Sequence, residues 1–274
     1  GRARISPTLQ HILQAVEQAN PTRIVFDSLS EMRLLAQSSL RYRRQILSLK
    51  QFFIGRRCTV VMLDDRTAEG PDLQLHSIAH GVLGLYVTPP VYGQARRQLQ
   101  VLKFRGSDFA SGLHDFTIRR GGLIAFPRLI AAEHGAEFSR SLITSGVAAL
   151  DTLLGGGVER GTSTLLAGPP GSGKSTLALQ YAAAAAERGD HAATFIFDEA
   201  KSALIARCEG IGLRIREGAG PGQIAVRQID PVEISPGEFA AGVRRCVEED
   251  GARVVIIDSL NGYLNAMPQD NYLT

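Results

Sequence analysis

The stretch TSTLLAGPPGSGKSTLALQYAAAAAERG, residues 162–189, decides the fold of this chain. Residues 162–168 form a short apolar run that is typical of a strand. Residues 176–189 form an alanine-rich run, ended by Gly189, that is typical of a helix. Between them, GPPGSGKS at 168–175 matches the phosphate-binding P-loop pattern G-x-x-x-x-G-K-[ST]. Strand, glycine-rich loop and helix in this order predict an α/β fold.

The residue types of the loop explain why it would bind a nucleotide. Glycines let the backbone wrap so that its N–H groups surround phosphates, and the helix start adds partial positive charge. Lys174 would reach the outer phosphates of ATP, and the Ser175 hydroxyl would be a ligand of Mg²⁺. The residues expected to contact the nucleotide are Gly168, Pro169, Pro170, Gly171, Ser172, Gly173, Lys174, Ser175 and Thr176.

Phosphoryl transfer also needs carboxylates, and two apolar runs end in them. RVVIID ends at Asp258, and ATFIFDE ends at Asp198 and Glu199. Open α/β sheets bind ligands at the carboxyl ends of their strands. We therefore expect Asp258 to order the metal's ligand shell, and Glu199 or Asp198 to activate the attacking water. Because neighbouring residues of a strand point to opposite faces, the two acids need not share one role.

An internal repeat determines the domain organisation. Residues 6–29, SPTLQHILQAVEQANPTRIVFDSL, and residues 235–260, SPGEFAAGVRRCVEEDGARVVIIDSL, both predict a helix, a turn and a buried strand that ends in Asp. The acids Asp27 and Asp258 are far enough apart to enclose a complete α/β domain. We expect the back half of one domain at residues 1–126, a linker at 127–144, and the front half of a second domain at 145–274.

The remaining segments of the first half predict further regular structure. Residues 31–54 indicate helical structure, and residues 58–64 indicate a buried strand. Four apolar runs separated by glycine, proline and polar turns then predict hairpins that extend the sheet. They are residues 81–87, 97–104, 114–119 and 123–126.

The composition restricts the partners and the compartment. The 30 basic and 27 acidic residues give a formal charge of +3, so we do not expect nucleic acid to be the partner. The three cysteines lie far apart, without the spacing of a zinc site or a disulfide framework. No apolar run is long enough to span a membrane, and the first residues lack the pattern of a signal peptide. We expect a soluble protein of the reducing cytoplasm.

Several of these segments together resemble the KaiC branch of the RecA superfamily. They are the GPPGSGKST loop, FDE with the following KSALIARCEGIGL, IIDSL, and VFDSLSEMRLL in the leading half. LKFRGSDFASGLHDFTIRRGGLIAFPRL at 102–129 and SGVAALDTLLGGG at 145–157 resemble the end of one KaiC domain and the start of the next. The resemblance implies a RecA-like fold with a mainly parallel central sheet and an antiparallel hairpin extension.

The resemblance also implies a site shared between subunits of a hexameric ring. In such rings a neighbouring subunit contributes a K-x-R element to the phosphates, and the matching residues here are Lys103 and Arg105. The chain departs from the family pattern in two places. Ser107, Asp108 and Phe109 stand where the family often has a His shortly after this element, and FDE replaces the common pair of glutamates.

The expected activity is Mg²⁺-dependent ATP binding with slow hydrolysis that drives a conformational or signalling switch in a ring, under the control of regulatory protein partners. Two other activities stay open at this point. One is a Ser/Thr autokinase, which the resemblance permits, and the other is a DNA-dependent ATPase related to recombinases. Purely structural ATP binding is a further alternative, which would leave the nucleotide uncleaved.

Overall fold

The computed structural model of the protein describes residues 7–65, 73–89, 93–130 and 141–265. Contacts between residues divide the chain into two units. The first unit comprises residues 1–83 and 101–109, and the second comprises residues 84–100 and 110–274.

The first unit is a small parallel sheet with helices. Its elements are α1 (Pro7–Ala19), β1 (Arg23–Phe26), α2 (Leu29–Ala36), α3 (Ser39–Phe53), β2 (Thr59–Met62) and α4 (Leu73–Ile78). The strands β1 and β2 pair in parallel, with Ile24 opposite Val60 and Phe26 opposite Met62. These four side chains pack on one core with the buried faces of α1, α2, α3 and α4, because alternate residues of a strand share a face.

The helical structure expected at 31–54 consists of two helices, α2 and α3. Gln37 adopts a left-handed φ of 57° and ends α2, since this conformation cannot continue a right-handed helix. Ser38 then begins α3, because its side chain accepts a hydrogen bond from the Arg41 backbone N–H at 3.3 Å. The prediction of helical structure here is confirmed.

The second unit contains three strand groups and five helices within the part of the chain that the structure describes. The strands β3 (Gly81–Thr88) and β4 (Arg96–Phe104) run through both units. The remaining elements are β5 (Leu113–Arg119), β6 (Gly122–Phe126), β7 (Leu142–Ile143), α5 (Ala148–Leu153), β8 (Val158–Glu159), α6 (Lys174–Glu187), β9 (His191–Ile196), α7 (Lys201–Gly210), β10 (Ile224–Gln228), α8 (Pro236–Glu248), β11 (Ala252–Asp258) and α9 (Leu260–Asn265).

A parallel sheet of three strands, in the order β10-β9-β11, forms the centre of the second unit. The middle strand β9 is buried along its whole length. On one face, Ala192 and Ile196 pack with the apolar sides of α6 and α7. On the other face, Ala193 and Phe195 pack with α8. The sheet is therefore covered by helices on both sides, as parallel sheets require.

The helix α6 lies close to the sheet because five consecutive alanines of the helix, residues 182–186, are buried. A methyl side chain lets two backbones approach closely, which longer side chains would prevent. The buried run thus allows tight packing of the helix against its neighbours. It fixes the position of the helix that begins at Lys174.

The strands β3, β4, β5 and β6 form a four-stranded sheet in sequence order. The pairs β4–β5 and β5–β6 are antiparallel, so the expected antiparallel extension of an otherwise parallel α/β fold is confirmed. Within the described residues, no helix has the length and apolar character needed to cross a membrane.

Asp115 of β5 has a buried carboxylate that accepts hydrogen bonds from three residues of the second unit. It accepts hydrogen bonds from Arg96 Nε at 3.0 Å, Gln98 Nε2 at 3.1 Å and the Gly237 backbone N–H at 2.8 Å. The last of these bonds joins β5 to the first turn of α8. A carboxylate with this many donors is stable when buried, whereas its removal would leave the donors unsatisfied.

We therefore predict that Asp115→Ala lowers the free energy of unfolding by about 2–4 kcal/mol. Urea unfolding of the variant and the parent chain measures this difference. The control is Glu248→Ala, which loses an exposed ion pair with Arg244 on the same helix α8. Loss of such a pair costs about 0.3–0.5 kcal/mol. Equal effects of the two substitutions would contradict the assignment of Asp115 as a buried network centre.

Candidate functional site

The glycine-rich loop between residues 168 and 173 adopts a conformation that other residues would resist. Gly171 and Gly173 have φ angles of +80° and +89°, in the region that only glycine enters freely. A Cβ atom on Gly168 would lie 2.7 Å from Ser172 Oγ, which is too close for a real contact. Pro169 and Pro170 are exposed on the loop, and the Ser172 N–H donates to the Pro169 carbonyl at 3.2 Å.

Lys174 is the first residue of α6 and its side chain folds back over the loop. Its Nζ atom donates hydrogen bonds to the carbonyls of Gly168 and Pro169, both at 2.9 Å. Ser175 and Thr176 follow in the first turn, where both are half-buried. The ammonium group is thus held at the loop, and phosphate oxygens could replace the two carbonyls as its partners.

Residues 162–168, which the sequence predicts as a strand, are not a strand in the structure. A strand needs a hydrogen-bonded neighbour, and no described strand pairs with this segment. Leu165 is 76% exposed as a result. The prediction was right about the loop and the helix that follow, but wrong about the strand.

A cavity of about 310 Å³ lies between this segment and the strand β11. Thr164 and Leu165 line one wall, and residues 253–258 line the other. Lys174, Ser175 and Asp258 all face this cavity. The structure therefore brings the loop lysine, the loop hydroxyl and the strand-end carboxylate of the sequence prediction to one place.

The register of the sheet brings the other two acids to the same edge. Asp258, the last residue of β11, lies opposite Ile196, the last residue of β9. The chain then continues from β9 to Asp198 and Glu199, and the Phe197 N–H still donates to the Asp258 carbonyl at 2.9 Å. Three carboxylates therefore lie at the carboxyl edge of two adjacent parallel strands.

Asp198 and Glu199 have different partners. The exposed Asp198 accepts a hydrogen bond from Ser259 Oγ at 2.7 Å, and this hydroxyl also accepts the Gly262 N–H at 3.0 Å. Glu199 instead pairs with Arg207 of α7, whose Nη2 lies 2.7 Å from Glu199 Oε2. The pKa of Arg207 is raised mainly by its hydrogen bond with Glu199, and to a smaller extent by the negative charge of Asp258 nearby.

Ser259 and Arg207 contact the predicted acids Asp198 and Glu199, and the sequence prediction did not include them. A signal for Ser259 was present, because both repeats have the same Asp-Ser-Leu order after the strand. No signal pointed to Arg207, since its partner lies eight positions earlier along the chain and outside its helix. The two residues meet only because the long side chain of Arg207 points toward Glu199.

Lys103 and Arg105 lie in the first unit, where they donate hydrogen bonds to backbone carbonyls at the end of α4. Lys103 Nζ donates to the His76 carbonyl at 2.6 Å, and Arg105 Nη2 donates to the Ser77 carbonyl at 2.9 Å. Lys50 binds the adjacent Ile78 carbonyl at 2.8 Å. Partial burial, and then the charges of Arg105 and Lys50, lower the pKa of Lys103. Cations at the carbonyl end of a helix are favourable, so these residues have a structural role in the first unit.

A parallel sheet covered by helices, a glycine-rich loop before a helix, and acids at the strand ends are typical of P-loop NTPases, in agreement with the expected RecA-like fold. The sequence comparisons agree with this class. A family model described as "ATPase: KaiC" matches residues 1–129 and 143–272. The chain belongs to the KaiC ATPase family.

Three curated relatives show how distant the similarity is. The circadian clock oscillator protein KaiC of Acaryochloris marina is 25% identical over 264 residues, which are 95% of this chain and 50% of the relative. The circadian clock protein KaiC3 of Synechocystis is 24% identical, over 95% of this chain and 52% of the relative. KaiC of Synechococcus elongatus is 26% identical over 78% of this chain and 41% of the relative. The chain thus spans about half the length of the first two relatives.

Two glycines at opposite ends of α6 provide a matched test of the loop. Gly173 and Gly189 have φ angles of +89° and +88°, and a Cβ atom would meet no neighbour within 4 Å at either position. Alanine should therefore destabilise the fold at both positions by a similar amount, about 1 kcal/mol. Only Gly173 belongs to the loop whose N–H groups would surround phosphates.

We predict that Gly173→Ala weakens binding of a fluorescent ATP analogue at least tenfold, whereas Gly189→Ala leaves the affinity unchanged. Equilibrium titration of the full chain measures both affinities. Equal affinities of the two variants would show that the loop conformation does not control nucleotide binding.

Proposed function

We propose that the chain binds ATP with Mg²⁺ at the loop of residues 168–175 and hydrolyses it slowly, as part of a ring-shaped switch. The observation that carries this proposal is the common cavity of Lys174, Ser175 and Asp258. These residues provide an ammonium group, a hydroxyl and a carboxylate, which together fit a metal-bound triphosphate.

The donor set of the site fits Mg²⁺. The Ser175 hydroxyl and the Asp258 carboxylate offer oxygen atoms to one cavity, and Mg²⁺ prefers oxygen ligands. Mg²⁺ commonly takes only one or two protein carboxylates and completes its shell with phosphate and water. When bound, the ion would neutralise phosphate charge.

Each site residue has a defined task in hydrolysis. Lys174 exchanges its two loop carbonyls for phosphate oxygens and stabilises the charge on them. Glu199 takes a proton from a water molecule, whose oxygen forms a bond to the terminal phosphorus. The bond from that phosphorus to the bridging oxygen breaks, and ADP leaves. Asp198, held by Ser259, helps to orient the water.

The proposal extends to assembly with further copies of the chain. In a hexameric ring, Lys103 and Arg105 would contact the phosphates of a nucleotide bound by a neighbouring subunit. For this they would give up their hydrogen bonds to the carbonyls of His76 and Ser77. Regulatory proteins would then act on the ring, and the similarity to circadian clock proteins suggests a role in timing.

A DNA-dependent ATPase is the weaker alternative. The arginines near the end of α3 would be the natural phosphate contacts of a nucleic acid. Arg56, however, pairs with Glu17 at 3.0 Å and stacks on the Phe52 ring at 3.9 Å. This arginine is therefore already engaged within the first unit.

We predict slow ATP turnover by the full chain that single-stranded DNA does not stimulate and that Lys174→Ala abolishes. ATP labelled at the terminal phosphate distinguishes the alternatives. Release of labelled phosphate supports the switch, whereas label retained on the protein would identify an autokinase. Stimulation by DNA with a steep salt dependence would contradict both.

A second prediction tests whether Glu199 is the general base. Glu199→Gln keeps the size of the side chain but removes its basicity, so turnover should fall about 100-fold or more while ATP still binds. Phosphate release and equilibrium ATP binding measure the two effects separately. Normal turnover of the variant would show that Glu199 is not the base. Loss of ATP binding would show that the substitution damages the site itself.

A further inference from the structure

We propose that Arg207 is a positioning residue for hydrolysis, which holds the Glu199 carboxylate at the edge of the sheet where water would be activated. This inference rests on the proposed role of Glu199 as the base. It assigns a function to a residue of α7 that the loop and strand motifs do not include.

The ion pair between Arg207 and Glu199 is bidentate, with two hydrogen bonds. Arg207 Nε lies 3.3 Å from Glu199 Oε1, and Arg207 Nη2 lies 2.7 Å from Glu199 Oε2. The two donors of the planar guanidinium thus engage both oxygens of the carboxylate, which fixes its orientation as well as its position. A single hydrogen bond would leave the carboxylate free to rotate.

Arg207 itself is held on a rigid element. Its neighbours Leu204 and Cys208, three positions before it and one after it, are fully buried in the core on the α6 side of the sheet. Helix side chains lean toward the start of their helix. From this anchored position Arg207 reaches back along α7 to Glu199, which precedes the helix.

Glu199 needs such a partner because it lies outside the regular elements. It follows the strand β9 by three residues and precedes α7 by two. The side chain is 32% exposed and has several rotatable bonds, so an unpaired carboxylate would sample many conformations. Within the described residues, Arg207 supplies the hydrogen bonds that this carboxylate accepts.

The charges at the sheet edge also favour this role. Asp198, Glu199 and Asp258 lie at the ends of two adjacent strands, and three carboxylates so arranged repel one another. Arg207 is a cation close enough to feel the charge of Asp258 in addition to that of Glu199. It therefore compensates part of the negative charge without occupying the cavity of Lys174 and Ser175, which it does not line.

A second arginine ion pair provides a matched control. Arg227 of β10 pairs with Asp250 at 2.9 Å, and its side chain is 35% exposed, against 36% for Arg207. Both residues belong to the second unit, and both pairs join a side chain to an acid outside its own element. Because the acid partner of Arg227 is Asp250 and not Glu199, loss of Arg227 should affect folding similarly but leave the chemistry unchanged.

The test compares steady-state ATP hydrolysis by the full chain carrying Arg207→Ala, Arg207→Lys, Arg227→Ala, Glu199→Gln, or Arg207→Ala with Glu199→Gln. Arg207→Ala should lower kcat about 30-fold with KM changed less than twofold, since misplacing a reacting group affects the reaction more than binding. Arg207→Lys should recover part of kcat, because Lys offers one donor instead of a fork. In the double variant, loss of Arg207 should cause no further decrease below Glu199→Gln.

Three outcomes would overturn the inference, and they are distinguishable. If Glu199→Gln lowers kcat but Arg207→Ala does not, the proposed function stands and Arg207 has no positioning role. If Arg207→Ala and Arg227→Ala lower kcat equally, or the double variant is slower than Glu199→Gln, Arg207 acts through the fold. If Glu199→Gln keeps normal turnover, the assignment of the base fails, and the role of Arg207 fails with it.

Discussion

The parallel pairing of β11 with β9 is the interaction on which the rest of the site depends. Its register sets Asp258 opposite Ile196, so that the acids following β9 reach the same edge of the sheet. The helix α6 then packs on these strands through its alanine run, residues 182–186, which brings its first residues, Lys174 and Ser175, to the cavity beside β11. Larger residues in that run would push the helix away from the sheet and separate the loop from Asp258.

Much of this arrangement could be predicted from the sequence, because local patterns decide it. The repeated helix and strand ending in Asp, the hairpin strands and the alanine helix all follow from apolar periodicity and turn residues. The segment 162–168 could not be predicted in this way, since an apolar run becomes a strand only where a neighbour pairs with it. The ion pair of Arg207 with Glu199 could not be predicted either, because it depends on where two long side chains point in three dimensions.

A comparison of the two repeats shows that a strand ending in an acid is only one part of the candidate site. Asp27 follows β1 as Asp258 ends β11, and both follow a helix of similar pattern. Asp27 is exposed in the first unit, and its strand pairs with β2. In the second unit, the corresponding strand β11 would take part in the proposed chemistry only together with the loop and α6. A carboxylate at a strand end is therefore necessary for the proposed chemistry but far from sufficient.

In the proposed function, the loop lysine, the loop hydroxyl and Asp258 together bind one metal-bound triphosphate. The most direct measurement is the affinity of the full chain and of Asp258→Asn for a non-hydrolysable ATP analogue, with Mg²⁺ and with a chelator. We predict that Mg²⁺ tightens binding to the parent chain, because Asp258 would order the metal's ligand shell in the proposed site, and that the variant loses most of this dependence. An affinity that is independent of Mg²⁺, or the same Mg²⁺ dependence in Asp258→Asn, would contradict the account.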